Sequence, residues 1–407
     1  MSIQNTILHL DLDTFFVSCE RLMDNKLNNR PVLIGGLSDR GVVAACSYEA
    51  RQYGIHSAMP MKMARMLCPQ ATVIKGNSGV YSKFSDVVTD IIKDQSPVVE
   101  KSSIDEFYVD ITGMDRYVKH SYLWAQELRE KIIKETHLPI SFGLSTNKTV
   151  AKVGTGEAKP NNHKHIPAGT EKPFLSPLSI KKIPMVGDQT YRKLRSLGVE
   201  KIYTLQEMPV QLMEKVLGQN GVVIWKKANG IDPTPVIPYH ERKSISTERT
   251  FEKDTTDVNK LRSIVIAMAE NLAYQLRNGE KITSCVSVKI RYSDFQTHTR
   301  QKRIPYTSLD HTLIDTVLEL FDAIYSRRIL IRLIGVKFSH LVGGSYQMKL
   351  FDESEKLIKL YIAMDNMRNR YGQDAVKRAI AMGSKNIGNH PNPFNGRTPI
   401  IPAHRRI

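Results

Sequence analysis

The clearest alternation of apolar and polar residues lies near the start of the chain, in the segment ILHLDLD at residues 7–13. Such a period of two predicts a β-strand with leucines on one face and, on the other, His9, Asp11 and Asp13. The short apolar segments PVLIGG and GVVAACS predict two further strands. A helix is predicted over YEARQYG, because Ser47 stands directly before it as an N-cap.

Helical periodicity follows in VYSKFSDVVTDIIKDQS and in SYLWAQELREKIIKETH, where apolar residues recur three and four positions apart. Between these helices, PVVEKSSIDEFYVDITG predicts a β-hairpin with the polar KSSID at its turn. PISFGLS predicts another strand, and TNKTVAKVGTGEA predicts a helix that ends before Lys159 and Pro160. Strands and helices therefore alternate through this part of the chain.

The pattern changes after about residue 175. KKIPMVGDQTYRKLRSLGV and LGQNGVVIWKKANGID each combine a glycine turn with a basic amphipathic helix, and DPTPVIPYHERKS predicts a linker. Residues 243–340 return to mixed strand and helix, and residues 354–380 predict a charged helix. The final segment GNHPNPFNGRTPIIPAHRRI predicts a loosely ordered tail.

Composition adds a partner class to this picture. The chain has 407 residues, enough for about two to four domains, with a net charge of +17 and a pI near 9.5. This charge indicates a polyanion, nucleic acid before an anionic membrane, although a merely soluble basic protein would share it. The four cysteines are scattered and form no CxxC pair, which argues against a zinc site and against a disulfide framework. This cysteine pattern favours a reducing, cytoplasmic location. We expect no signal peptide and no membrane span.

Two acidic pairs carry the candidate chemistry. Asp11 and Asp13 share a strand face, and Asp105 and Glu106 stand at the predicted hairpin turn. If the two strands are neighbours, three or four carboxylates converge, and Mg²⁺ would relieve their repulsion. Two such ions would serve in-line phosphoryl transfer. The alternative is that these acids cap turns or pair with surface lysines and arginines.

A second candidate group is cationic and aromatic. Tyr48 and Arg51 are three residues apart in the first turn of a predicted helix, where a phenol, a guanidinium and free N–H groups suit a triphosphate. Lys159 would add a third donor. A solvated helix start with an ordinary aromatic contact is the alternative.

Six segments together resemble the Y-family, translesion DNA polymerases: LDLDTFFVSCE, VVAACSYEARQYGI, SSIDEFYVDIT, SFGLSTNKTVAKVGTGEAKPN, KSISTERTF and RLIGVKFSHL. They follow the family's order over residues 1 to about 380. The resemblance implies an α+β multidomain, right-hand polymerase fold. Its parts would be a ferredoxin-like palm (1–18 and 77–174), small fingers (19–76), a helical thumb with helix-hairpin-helix-like segments (175–230), a linker (231–242), an α/β little finger (243–341) and a C-terminal clamp-binding segment, helix and flexible tail (342–407).

The resemblance also implies a role for each candidate residue. Two Mg²⁺ ions would be held by a catalytic set consisting of Asp11, Asp105, Glu106 and the backbone carbonyl of Leu12. Asp13 would support this set from outside it. The nucleotide-binding residues would be Phe15, Phe16, Tyr48, Arg51 and Lys159. Phe16 would be the steric gate, because its ring would leave no room for the 2′-hydroxyl of a ribonucleotide.

Near the end of the chain, QMKLFD resembles the peptide by which bacterial polymerases dock on the sliding clamp. Gln347 would form a hydrogen bond, and Leu350 and Phe351 would fill an apolar pocket. The partners implied are therefore primer-template DNA, deoxynucleoside triphosphates and the clamp, and we expect a monomer.

The sequence departs from the family pattern at several positions. Met185 stands where the first thumb hairpin usually has glycine, which makes tight phosphate contact there uncertain, although Gly187 still permits a turn. Ala45 lacks a hydroxyl that some members place near the triphosphate. Glycines partly replace small residues in KVGTGEA, so we expect that helix to end early or fray.

The resulting hypothesis is a low-fidelity, template-directed DNA polymerase without a proofreading exonuclease. Three alternatives remain open. A nucleotide cyclase shares the two-carboxylate, two-metal layout but needs neither a clamp peptide nor this charge. An inactive Y-family accessory protein would bind DNA without catalysis, although such proteins lose the carboxylates present here. A subunit of a mutagenic multi-subunit Y-family polymerase is the nearest alternative.

Overall fold

The structure is a computed structural model that describes residues 5–114, 120–239, 241–325, 329–344, 354–372 and 375–382. The chain divides into two compact units between His240 and Glu241. Sheets and helices occur in both, and the fold is of the predicted α+β multidomain class.

A five-stranded sheet forms the centre of the first unit. Its order is β5 (Val98–Lys101), β6 (Glu106–Asp110), β1 (Ile7–Leu12), β7 (Ile140–Ser145) and β8 (His163–His165). β1 pairs antiparallel with β6 and β7, and β7 pairs parallel with β8. The leucine face of β1 packs against α4 (Ser78–Gln95) and α5 (Ser121–Thr136). The opposite face packs against α6 (Lys148–Ala158), where His9 Nδ1 lies 2.8 Å from Thr155 Oγ1. The two predicted faces of β1 are confirmed.

α6 runs without a break from Lys148 to Ala158, so the prediction that its glycines would fray it is wrong. Glycines instead allow this helix to approach the sheet closely. A Cβ atom on Gly143 of β7 would lie 2.2 Å from the carbonyl oxygen of Ala151, whereas one on Gly156 would meet nothing within 4 Å. The backbones of α6 and β7 therefore pack directly on each other.

These two glycines give a stability prediction. We expect Gly143→Ala to lower the free energy of unfolding by about 2–3 kcal/mol, because the added methyl group overlaps a backbone oxygen. Gly156→Ala is the matched control: its methyl group points into open space within a helix, and it should raise the same quantity by about 0.5–1 kcal/mol. Chemical denaturation of both variants beside the wild type measures this. Equal stability of the two variants would contradict the close packing.

A smaller sheet, in the order β3 (Val43–Cys46), β2 (Val32–Gly35) and β4 (Thr72–Ile74), belongs to the predicted fingers. The helices in this part of the chain are α1 (Phe15–Met23), α2 (Tyr48–Arg51) and α3 (Met61–Leu67). α2 begins where the sequence predicts, since the Ser47 side chain accepts a hydrogen bond from the Ala50 amide at 3.2 Å. It ends after 4 residues, so its dipole adds little and anion binding there depends on side chains.

Short helices follow in the predicted thumb, and they share a hydrophobic core with Val150 and Val153 of α6. These helices are α7 (Glu171–Leu175), α8 (Asp188–Ser196), α9 (Ile202–Glu207), α10 (Val210–Leu217) and α11 (Gln219–Ala228). Between α10 and α11, Gly218 has a φ of 64°, in the region that favours glycine. At the turn before α8, it is Met185 that has a positive φ, 81°, and its side chain is exposed. The departure noted in the sequence therefore falls on a position where the backbone itself favours glycine.

Residues 231–239, within the predicted linker, form neither helix nor strand. The Ile237 amide donates to the carboxylate of Glu100 at 2.7 Å, and the same carboxylate accepts two bonds from Lys148. Val236 is buried in a small cluster with residues of β1, β6 and α6. This part of the predicted linker is therefore fixed on the five-stranded sheet as far as Ile237.

A four-stranded sheet forms the centre of the second unit, in the order β11 (Thr297–Thr307), β10 (Lys281–Tyr292), β12 (Ile331–Gly343) and β9 (Ser244–Thr255). The strands are all antiparallel. Two helices, α12 (Val258–Asn278) and α13 (Asp310–Ile324), share a hydrophobic core with the sheet.

The predicted C-terminal helix is α14 (Ser354–Tyr371). It ends earlier than the predicted residue 380, and Gly372 follows with a φ of 95°. The guanidinium of Arg277 in α12 donates to Asp365 of α14 and to Asp310 of α13, so buried ion pairs hold α14 to this unit. Among the described residues, none of the helices is both long enough and apolar enough to cross a membrane.

Candidate active site

The two acidic segments predicted from the sequence meet in the five-stranded sheet. Asp11 on β1 lies directly opposite Glu106 on β6 in the antiparallel register. The backbone carbonyl of Asp105 accepts a hydrogen bond from the Leu12 amide at 3.0 Å, which extends this pairing. The prediction that the two strands are neighbours is confirmed, and the three acidic residues lie side by side.

Lysine side chains lie on these carboxylates. Lys159 Nζ contacts the Asp11 carboxylate and lies 3.4 Å from Asp13 Oδ1. Lys152 Nζ donates to Glu106 Oε2 at 2.6 Å. Lys152 was not among the residues predicted from the sequence. It lies in α6, seven residues before Lys159, which directly follows the helix, and this spacing of nearly two helical turns was the available signal. The lysines supply the positive charge that carboxylates removed from water require.

The environment of Asp11 disfavours its charged form. Its pKa is raised to about 7, chiefly by burial and also by the charges of Glu106 and Asp105, against the opposing effect of Lys159. Within the described residues, no three His, Cys, Asp or Glu side chains form a preassembled ligand set. The available ligand atoms are nevertheless carboxylate oxygens, and their negative charges repel one another because they lie close together. A divalent cation bound between them would remove this repulsion, so the residues fit Mg²⁺.

Tyr48 and Lys159 converge on one residue, Asp13. The Tyr48 hydroxyl donates to Asp13 Oδ1 at 3.3 Å, and the guanidinium of Arg51 lies over the Tyr48 ring at 4.9 Å from its centroid. Burial and the charge of Asp13 raise the pKa of Tyr48, so its hydroxyl stays protonated and remains a donor. The structure thus brings a phenol and an ammonium together beside the carboxylates, with the exposed Arg51 next to them.

The adjacent residues Phe15 and Phe16 have different surroundings. Phe15 is buried in the core below the sheet, whereas Phe16 is half-buried. The Phe16 ring stacks on Tyr81 with centroids 4.4 Å apart and an interplanar angle of 16°. Tyr81 donates in turn to Glu20 at 2.5 Å. The stack on Tyr81 therefore fixes the ring of Phe16, the predicted steric gate. No local sequence pattern indicated this contact.

The remaining predicted positions are the clamp-binding residues and Ala45. Gln347, Leu350 and Phe351 lie outside the described residues, so their predicted clamp contact stays a prediction. Ala45 lies in β3, opposite Ile34 of β2.

Relatives of this chain were found by sequence. The model of the impB/mucB/samB family matches residues 10–156, and the model of that family's C-terminal domain matches residues 242–350. A DNA polymerase IV of Dehalococcoides mccartyi is 38% identical over 380 residues, which cover 93% of this chain and 97% of the relative. A DNA polymerase IV of Exiguobacterium sibiricum is 36% identical over 341 residues, 82% of this chain and 94% of that relative.

A solved structure of a Y-family DNA polymerase chimera matches the fold with a TM-score of 0.72. The match covers 83% of this chain and 100% of that chain at 24% identity, so it bears on the fold alone. The sequence matches reach into both units and include the segments that carry Asp11, Asp105 and Glu106. The chain therefore belongs to the impB/mucB/samB family, the Y-family of DNA polymerases.

Proposed function

We propose that this Y-family member, a DNA-directed DNA polymerase, carries out translesion synthesis by adding deoxynucleotides to a primer 3′ end with low fidelity. The observation that carries the proposal is the cross-strand pair of Asp11 and Glu106 with Asp105 beside it. Tyr48 and Lys159 lie next to this group and are donors that a triphosphate needs. The name of the relatives, DNA polymerase IV, supports the same activity.

The proposed cofactor is Mg²⁺, two ions held by Asp11, Asp105, Glu106 and the Leu12 carbonyl. When bound, such ions activate an attacking hydroxyl and stabilise a leaving oxygen in phosphoryl transfer. The chain's own contribution is to hold the carboxylates together through the pairing of β1 with β6. Lys152 additionally orients Glu106 by its hydrogen bond of 2.6 Å.

The incoming nucleotide would be held on its phosphate side by Tyr48, Arg51 and Lys159. A phenol, a guanidinium and an ammonium together offer neutral and charged donors for a strongly anionic group. On the sugar side, Phe16 would lie against C2′ of the deoxyribose, its ring fixed by the Tyr81 stack. Phe15 would contribute by packing beneath Phe16, with ring centroids 5.6 Å apart.

Primer extension by the purified chain alone tests this function. We expect extension on a primed template with Mg²⁺ and all four deoxynucleotides, continued synthesis opposite a damaged template base, and no shortening of a mismatched primer when nucleotides are withheld. Failure to extend, with DNA binding intact, would favour the inactive accessory protein or a subunit that needs others. An error rate as low as that of a replicative polymerase would contradict the low-fidelity assignment.

We further propose that the enzyme acts as a cytoplasmic monomer and docks on the sliding clamp through Gln347, Leu350 and Phe351. The support for the clamp contact is the motif QMKLFD at residues 347–352, which overlaps the end of the segment that the family's C-terminal domain model matches. Two adjacent apolar residues in such a short motif would suit an apolar pocket on a protein partner.

A further inference from the structure

Asp13 is a buried carboxylate next to the end of β1 to which the proposed chemistry gives no direct part. Its side chain is only 1% exposed, yet both of its oxygens have partners. Oδ2 accepts from the Ser141 hydroxyl at 2.8 Å and from the Asn161 amide at 2.5 Å. Oδ1 faces the Tyr48 hydroxyl at 3.3 Å and Lys159 Nζ at 3.4 Å. One carboxylate therefore joins groups from distant parts of the sequence.

The two oxygens face different kinds of partner. Ser141 belongs to β7, and Asn161 donates through its backbone, so the Oδ2 contacts bind Asp13 into the sheet and the turn after α6. Tyr48 begins α2, and Lys159 follows α6, and both belong to the set proposed for the triphosphate. The Oδ1 contacts thus connect Asp13 with nucleotide binding rather than with folding.

The Tyr48 contact is the one best suited to exchange. A phenol has a single hydrogen to donate, so Tyr48 cannot serve Asp13 and a phosphate oxygen at once. Its distance of 3.3 Å is longer than an ordinary O–H···O bond, whereas the Oδ2 contacts are 2.8 Å and 2.5 Å. A phosphate oxygen could therefore accept the hydrogen bond from Tyr48 in place of Asp13, while the Oδ2 contacts keep Asp13 where it is.

We propose that Asp13 is a positioning residue for triphosphate binding, an inference that rests on the function proposed for Tyr48 and Lys159. Its carboxylate holds the Tyr48 hydroxyl and the Lys159 ammonium side by side before the nucleotide arrives. The entropy cost of ordering these two side chains is then met when the protein folds rather than when the nucleotide binds, which favours tight binding.

Asp13→Asn separates this role from a role in folding. The amide oxygen can accept from Ser141 and Asn161 as Oδ2 does, but the amide NH₂ then faces Tyr48 and Lys159. It opposes the Lys159 ammonium, donor against donor, and it can only donate to the Tyr48 oxygen, so neither side chain is held as the carboxylate holds it. In single-nucleotide insertion we expect the KM for the deoxynucleotide to rise about tenfold, with a much smaller change in kcat. A purely structural role of Asp13 would not raise KM while leaving kcat nearly unchanged.

A matched control and a double variant sharpen the test. Glu100→Gln also turns a buried carboxylate of the same sheet into an amide, but Glu100 binds Lys148 and the Ile237 amide instead, so its KM should equal that of the wild type. Tyr48→Phe should raise KM. The double variant of Asp13 and Tyr48 should raise KM by less than the product of the two single effects, because both changes remove the hydrogen bond between Tyr48 and Asp13.

The outcomes are distinct. If the two single effects on KM multiply in the double variant, the proposal is overturned. A wild-type KM in Asp13→Asn beside a raised KM in Tyr48→Phe would also overturn it, while the proposed role of Tyr48 would stand. An unchanged KM in Tyr48→Phe would remove the proposed role of Tyr48 and this inference with it. If Asp13→Asn does not fold, the KM and the Tm of Tyr48→Phe decide together. A raised KM with a lower Tm supports the proposal, because Tyr48 then serves both the nucleotide and the buried Asp13 acceptor, and an unchanged Tm overturns it.

Discussion

Primer extension by an Asp11→Asn variant is expected to be slower than that of the wild type by at least about a thousandfold. The substitution keeps the size of the side chain and removes its charge. Asp11 lies opposite Glu106 in the strand register, and it is the proposed carboxylate ligand on β1. Without that charge, the remaining carboxylates would hold Mg²⁺ too weakly to support the reaction. Single-turnover extension at saturating DNA measures the effect on chemistry separately from DNA binding.

The same variant should fold at least as well as the wild type. The pKa of Asp11 is raised to about 7 in the folded chain, which means that folding disfavours its charged form at neutral pH, and asparagine removes that penalty. We therefore expect its Tm without Mg²⁺ to be no lower than that of the wild type. Asp110→Asn, on the same strand as Glu106, is the matched control and should extend primers normally. Wild-type extension by Asp11→Asn would refute the proposed site.

Phe16→Ala is expected to raise the use of ribonucleotides relative to deoxynucleotides by about a hundredfold. Phe16 is half-buried and stacked on Tyr81, so its ring cannot easily move aside for an additional oxygen. Removing the ring opens space for the 2′-hydroxyl and leaves the carboxylates unchanged. The measurement is the ratio of kcat/KM for a ribonucleotide and the matching deoxynucleotide opposite one template base.

Val17→Ala provides the control for this experiment. Val17 is buried in the same helix and has no proposed role in nucleotide binding, so its replacement should lower stability without changing the preference between the two sugars. An unchanged sugar preference in Phe16→Ala would show that another residue excludes the ribose. A changed preference in both variants would mean that general loosening of α1, and not one ring, sets the discrimination.

Local periodicity predicted the elements that carry the carboxylates. The alternation in ILHLDLD placed the leucines and Asp11 on opposite faces of β1, and the polar KSSID correctly marked the turn between β5 and β6. Both features depend on neighbouring residues, which is why the sequence alone was sufficient. Glycine content gave the wrong result for α6, because helix propensity takes no account of a sheet that requires close approach.

Contacts between distant segments could not be predicted in this way. Tyr81 supports Phe16, and Lys152 holds Glu106, yet each pair lies on different elements that only the folded chain brings together. Met185 shows an intermediate case. The sequence indicated an unusual residue at a hairpin, and only the backbone showed that its φ is 81°, where a side chain is disfavoured.

Residues 231–237, which are fixed on the first unit, determine where a hybrid enzyme with another protein's second unit can be joined. The Ile237 amide and the Val236 side chain are part of the first unit's hydrogen bonding and packing, whereas the first strand of the second unit begins at Ser244. A hybrid that exchanged the chain from residue 231 onward would replace the Val236 side chain, which is buried against the five-stranded sheet and α6 of the first unit. A junction placed after Ile237 would exchange the second unit while keeping the first unit's own contacts complete.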